Sequence, residues 1–239
     1  MADRYFSEVP ITGDAITLSG QEAHHLRDVM RGGRGERVLL FDGGGCEYVA
    51  EVVEAKRNAV ALRIVERLNV NRELPWPLIL GVGLPKGERQ RWLLEKAVEV
   101  GVTRLVPLLT ERGVADPTPS ALERLRRGVV EATKQCGRNR LLEIGEPLTL
   151  ADYARGAAAD SLRLLAHPGG EAWVGRAATA AGAGAGVALA IGPEGGFTAA
   201  EVELAGTAGW RTIGLGPRVL RVETAAVLLA GLAAQECFL

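Results

Sequence analysis

The chain has 239 residues, 47% of them hydrophobic and 24% charged, with a formal net charge of −1. That make-up belongs to a globular chain able to bury a core, and it excludes disordered, collagenous and disulfide-scaffold classes. Near-neutrality also excludes a global attraction to nucleic acid or a membrane surface, so any polyanion site must be local.

The cysteines, Cys46, Cys136 and Cys237, are widely spaced and form no CxxC pair, which points to a reduced, cytoplasmic protein. His24, His25 and His167 stand in no metal-ligand spacing, so no metal is expected. The N-terminal MADRYFSEVP lacks the apolar core of a signal peptide. The longest apolar run, 224–234, is too short to span a bilayer and reads as a buried helix.

In chain order, the first elements are β-rich. VLLF (38–41), YVAEVV (48–53) and AVALRIV (59–65) read as short strands, with KRN (56–58) as a hairpin tip. Ser19 and Glu22 fit a capping box that opens the helix QEAHHLRDVMR. Short strands in so small a unit suggest a compact barrel. The stretch 69–77, NVNRELPWP, reads as a linker, giving domains 1–73 and 74–239.

From residue 78 strand and helix alternate, the pattern of a parallel sheet. LILGVGL, RLVPLL, LLEI, LRLLAH, VALAI and TIGL read as strands. Leu93, Ala97 and Val100 line one face of a helix that Gly101 stops. A second helix, opened by a Ser120/Glu123 capping box, carries Leu122, Leu125, Val129, Ala132 and Cys136 on its apolar face. Thr198 and Glu201 form a third box after IGPEGGF, and AATAAGAGAGVA (177–188) reads as a frayed helix end and loop.

Three glycine loops compete for chemistry. GVGLPKG (81–87) lacks the dinucleotide-fingerprint spacing, because Lys86 stands where a glycine is required, and it is no Walker loop. IGPEGGF and GLGPRVLRVETA each leave the end of a predicted parallel strand, the edge where open α/β sheets bind ligands. Glycine there lets a ligand reach the main-chain N–H and C=O groups.

IGPEGGFTAAE followed by LGPRVLRVETA resembles the bacterial RsmE family, the 16S ribosomal RNA uracil-N3 methyltransferases of the SPOUT superfamily. HHLRDVMRGGRGERVLLFDGGG, KGERQRWLLEKAVEVGV and EATKQCGR match the family's pattern in the same order, so the resemblance covers nearly the whole chain. It implies a small PUA-like β-barrel domain followed by a SPOUT-type α/β parallel sheet with a C-terminal trefoil knot. It also implies S-adenosylmethionine as methyl donor, a homodimer, and 16S rRNA within the assembled small ribosomal subunit as substrate. A non-catalytic RNA-binding or ribosome-assembly factor on the same fold, or the same chemistry on another RNA, are the alternatives.

The resemblance assigns the cofactor to Leu165, His167, Ile191, Gly192, Pro193, Glu194, Gly195, Gly196, Leu215, Gly216, Val219, Leu220, Thr224 and Ala225. Catalytic candidates are Arg221, Glu223 and Glu194. Methylating N3 of uracil requires loss of its proton, and the Arg221 guanidinium would stabilise the developing anion. Glu223 suits a helix start, and Glu194 is read as organising its loop through nearby backbone. Between residues 86 and 140, Lys and Arg number twelve against seven Asp and Glu. With an RNA substrate implied, Arg138 and Arg140 become phosphate contacts, joined by Lys86 and, in the barrel, by Arg27, Arg31 and Arg34. Arg4 stands where family members often carry two basic residues beside an aromatic, and is counted with them.

Overall fold

A computed structural model describes residues 3–30, 34–114, 117–173 and 186–235. Its contacts divide the chain into two units: Met1–Glu73 with Thr133–Leu141, and Leu74–Ala132 with Leu142–Leu239.

The first unit contains β1 (Arg4–Phe6), β2 (Ala15–Ser19), α1 (Gly20–Met30), β3 (Arg37–Phe41), β4 (Glu47–Lys56) and β5 (Ala59–Leu68). These strands form a five-stranded sheet in the order β1-β3-β4-β5-β2, curled into a half-barrel. β1 runs parallel to β3, and the other pairs are antiparallel. Alternation along the strands turns Val38, Leu40, Ala50, Val52, Val60 and Leu62 into one core. Ala23 and Leu26, one helical turn apart on α1, close that core together with Tyr5. The carboxylate of Glu22 accepts from the Phe6 N–H at 3.1 Å and pairs with Lys134 at 2.8 Å, so it ties α1 to β1 and to the 133–141 segment.

The second unit contains β6 (Leu78–Val82), α2 (Glu88–Glu99), β7 (Arg104–Leu109), β8 (Glu143–Ile144), β9 (Leu148–Thr149) and α4 (Leu150–Gly156). It continues with β10 (Leu162–Ala172), β11 (Val187–Ile191), α5 (Ala199–Thr207), β12 (Arg211–Gly214) and α6 (Val222–Gln235). The helix α3 (Pro119–Cys136) starts here and ends among residues of the first unit. Pro119 occupies its first turn, where a fixed φ favours the helix, and Thr118 caps it by accepting the Ala121 N–H. That places the cap earlier than the expected Ser120/Glu123 box, and Glu123 pairs with Arg126 instead.

The sheet is seven-stranded, in the order β12-β10-β11-β6-β7-β8 with β9 also beside β7, and every pair is parallel. β11, VALAI, is buried at every residue, as a central parallel strand requires. Ala188 and Ala190 face α4 and α5 through Tyr153, Ala154, Phe197, Ala205 and Trp210. A Cβ on Gly81 would lie 2.5 Å from the Tyr153 ring, which lets the Tyr153 hydroxyl reach the Leu189 carbonyl at 2.9 Å. Leu189 and Ile191 point to the opposite face, where α6 packs on β6, β11 and α2. The connection from β10 to β11 runs through residues 174–185, outside the described residues. Most of the segment read as a frayed helix end, 177–188, lies there. Among the described residues, no helix is long and apolar enough to cross a membrane, and no group of side chains could hold a metal ion.

Candidate functional site

β12, β10 and β11 are neighbours: Leu165 pairs with both Ala190 and Thr212. The loops that leave their C-terminal ends, 192–198 after β11 and 215–221 after β12, therefore open at one edge, on either side of His167. The candidate cofactor residues gather here.

The first loop is held by its own chain. Gly83 donates to the Ile191 carbonyl at 2.9 Å, and a Cβ on Gly83 would stand 2.7 Å from the Pro193 nitrogen. Gly192 is pressed against the backbone of Gly196 and Phe197, 3.1 Å from where its Cβ would be. Gly195 is crowded by the Arg112 side chain at 3.1 Å, and its carbonyl accepts from Arg112 Nη1 at 2.9 Å. Glu194 pairs with Arg89 at 3.0 Å, so its organising partner is a side chain of α2 and not the nearby backbone. The Thr198/Glu201 capping box forms, and the other oxygen of Glu201 accepts the Glu111 N–H at 3.1 Å. Arg89, Glu111 and Arg112 escaped the sequence reading. Glu111 and Arg112 follow β7 at the same strand-end edge, and that position was the available signal.

Two glycines differ in kind. Gly196 (φ +69°) and Gly216 (φ +97°) hold left-handed backbone, and no atom lies within 4 Å of where either Cβ would be. They leave bare main chain beside open space, the condition for a flat ligand to approach. Leu165 and Ile191 are buried in the sheet, so they offer a ligand main-chain groups only. His167 is half-buried, and its Nδ1 accepts the Gly169 N–H at 3.1 Å. In the second loop Leu215 and Leu220 are half-buried, whereas Val219 is 93% exposed. Arg221 is exposed and its carbonyl accepts the Ala225 N–H, opening α6. Thr224 is exposed and Ala225 half-buried on the first turns. Glu223 is buried, and its Oε2 has no hydrogen-bond partner.

A family model described as an RNA methyltransferase domain matches residues 72–234, and one described as an RNA methyltransferase PUA domain matches 18–65. The chain belongs to this RNA methyltransferase family. It is 34% identical over 88% of its length to the ribosomal RNA small subunit methyltransferase E of Synechocystis sp., covering 69% of that protein. The protein of the same name from Mycobacterium bovis is 31% identical, with 95% of this chain and 88% of that one covered. Among solved structures, a putative methyltransferase from Legionella pneumophila with bound SAM superposes with TM-score 0.86 at 32% identity, over 98% of this chain and 97% of that one. The ribosomal RNA small subunit methyltransferase E of Neisseria gonorrhoeae, bound to S-adenosyl methionine, superposes with TM-score 0.88 at 25% identity, over 100% and 98% of the two chains.

In this methyltransferase the arginines expected on RNA divide into two sets. Arg138 is 4% exposed and grips Glu73 through Nε and Nη2, which corrects its reading as a phosphate contact. Arg4 is likewise withdrawn from RNA. It pairs with the buried Glu47 at 3.1 Å and donates to the Thr133 and Arg138 carbonyls and to Asn139. Its guanidinium lies 4.5 Å over the Phe41 ring. Burial pulls the Arg4 pKa below the ordinary arginine value, with Glu47 opposing that shift. The physical reason is the same for both: a desolvated guanidinium needs carboxylates and carbonyls, and here the chain supplies them. Arg140 is exposed, its guanidinium lying against the Gly45 turn, where a Cβ added to Gly45 would stand 3.0 Å from Nη2. Arg34 and Lys86 are exposed. Arg27 donates to the Arg57 carbonyl at 2.7 Å and contacts His24. Arg31 lies outside the described residues.

Proposed function

We propose that this methyltransferase uses S-adenosylmethionine to methylate N3 of a uridine in 16S ribosomal RNA, acting in the cytoplasm as a homodimer. The observation that carries the reading is the pair of left-handed glycines, Gly196 and Gly216, open on loops that leave neighbouring strands. They fit a ligand recognised through backbone, and the relatives' names and bound cofactors supply its identity. Main-chain groups at Leu165, Ile191, Gly192 and Gly196, with the 215–220 loop and Thr224 and Ala225, would hold it. When bound, it supplies a methyl group activated on a sulfonium.

The chain's own part is binding, alignment and charge. The Arg221 guanidinium, exposed at the start of α6, would stabilise the uracil anion as N3 loses its proton. Glu194, engaged by Arg89, would keep the first loop in shape. We assign an RNA-binding domain to residues 1–73, contributing phosphate contacts from Arg27 and Arg34, and catalysis to residues 74–239, which contribute further phosphate contacts from Lys86 and Arg140. The outward side of α6 supports a second copy: Leu228 is 41% exposed, and Val227 and Leu232 are half-buried beside it.

Calorimetric titration with S-adenosylmethionine and single-turnover methylation of small subunits, with mass mapping of the product nucleoside, test the reading. Binding with a base-methylated uridine supports it; a ribose-methylated product or no binding refutes it.

A further inference from the structure

Glu223 is a polar residue on an otherwise apolar surface. It is 6% exposed and shares the buried face of α6 with Ala226, Ala230 and Ala233, and its Oε2 is sealed without a donor. An acceptor taken out of water unpaired destabilises a fold, and the helix N-terminus offsets that only in part. Arg221, two residues before it, is exposed. α6 follows β12 through residues 215–221, so its first turn stands at the C-terminal edge of the sheet, and α6 packs on β6 and β11. Gly83 and Gly192 directly follow those strands and hold the first loop. Glu223, with Val222 beside it, thus stands at the end of the buried face that lies toward the glycine loops.

We infer that Glu223 reads the charge of the ligand's reacting centre and so favours the methyl donor over the demethylated product. The inference rests on the reading that S-adenosylmethionine binds at these loops. Before transfer the donor's sulfur is a sulfonium, and afterwards it is a neutral thioether. The adenosine and amino-acid parts are unchanged, so only a charge-sensing group separates the two states. A carboxylate with an unpaired oxygen in a water-poor site is such a group, because its attraction for a nearby cation is weakly screened. Fresh donor is retained and spent product released by the same residue.

Calorimetry of the full chain and of Glu223→Gln tests this with three ligands: S-adenosylmethionine, S-adenosylhomocysteine, and sinefungin, in which a carbon bearing an ammonium group replaces the methylated sulfur. Wild type should bind the two centre-charged ligands about tenfold or more tighter than the thioether. Glu223→Gln should erase most of that preference while leaving the thioether's affinity nearly unchanged. The ligand-free melting temperature of Glu223→Gln should hold or rise, since an isosteric amide removes an unpartnered carboxylate. Equal wild-type affinities overturn the inference with no variant needed. An equal loss for all three ligands overturns it too, since the residue would then read a part they share. A fall in the ligand-free melting temperature means the carboxylate already has a partner, which also refutes the proposal. Wild type binding none of the three removes the cofactor reading itself, and this inference with it.

Discussion

The barrel and the glycine edge of the sheet both hold irregular backbone in place, by different mixtures of means. In the barrel, charged side chains do it: Arg4, Glu47, Arg72 and Asn139 interlock, and Arg138 grips Glu73. At the sheet edge backbone packs on backbone at Gly83 and Gly192, which bring no side chains of their own, and Arg89 and Arg112 fasten the loop from outside it at Glu194 and Gly195. A guanidinium therefore says little about RNA until its burial is known, whereas a glycine cluster at a strand end already says that something must come close. At Gly192 and Gly195 what comes close is the protein.

The sharpest break of this comparison is Arg138→Ala, which strands Glu73 in a site where the pair's side chains are 5% and 13% exposed. About 3 to 5 kcal/mol of stability should be lost in calorimetric melting. If the variant melts like wild type and only RNA affinity falls, the charge-built barrel is wrong. Arg221→Ala should leave melting unchanged and slow single-turnover methylation on the order of a hundredfold, about 3 kcal/mol in the barrier. RNA affinity falling in step with rate would make Arg221 an anchor instead. At the other kind of site, Gly83→Ala drives a methyl toward the Pro193 backbone, where its Cβ would lie 2.7 Å from the nitrogen. Overpacking should cost about 1 to 3 kcal/mol and weaken S-adenosylmethionine binding. Arg112→Ala removes one hydrogen bond to the Gly195 carbonyl, so cofactor affinity should fall by about 1 kcal/mol in calorimetry, with melting little changed. Smallest is Arg140→Ala: stability within about 0.5 kcal/mol of wild type, and a salt dependence of RNA binding shallower by about one. An Arg140 variant that unfolds would move it into the buried set.

Legibility followed the range of the interactions. β3, β5, β6, β7 and β11 stood out because apolar periodicity is local, and the Thr198/Glu201 box was visible because both partners lie within one turn. β1 and β2 were missed: RYF buries Tyr5 and AITLS buries Leu18, too little pattern for any window. The glycine loops were readable, but their fastening by Arg89 and Arg112 was not, since Arg112 and Gly195 are 83 positions apart. The same distance effect hid the fate of Arg4, whose partner Asn139 is 135 positions away. Charge counting over residues 86–140 added Arg138 and Arg140 as equals, although one is buried and the other exposed.

Thr133–Leu141 belongs with Met1–Glu73, although 59 residues of the other unit, Leu74–Ala132, intervene. As the chain is synthesised, the strands of the barrel emerge first, yet Arg4 and Glu22 wait for Thr133, Lys134, Arg138 and Asn139. Until then the Arg4–Glu47 pair has lost the carbonyls that cover it, and Arg72 lacks the Gly137 carbonyl it donates to at 2.8 Å. A fragment cut at the linker inherits the same deficit permanently. The barrel is therefore a module of space but not of the gene: excising it as residues 1–73 removes the piece that seals it, and grafting it elsewhere means carrying the end of α3 along.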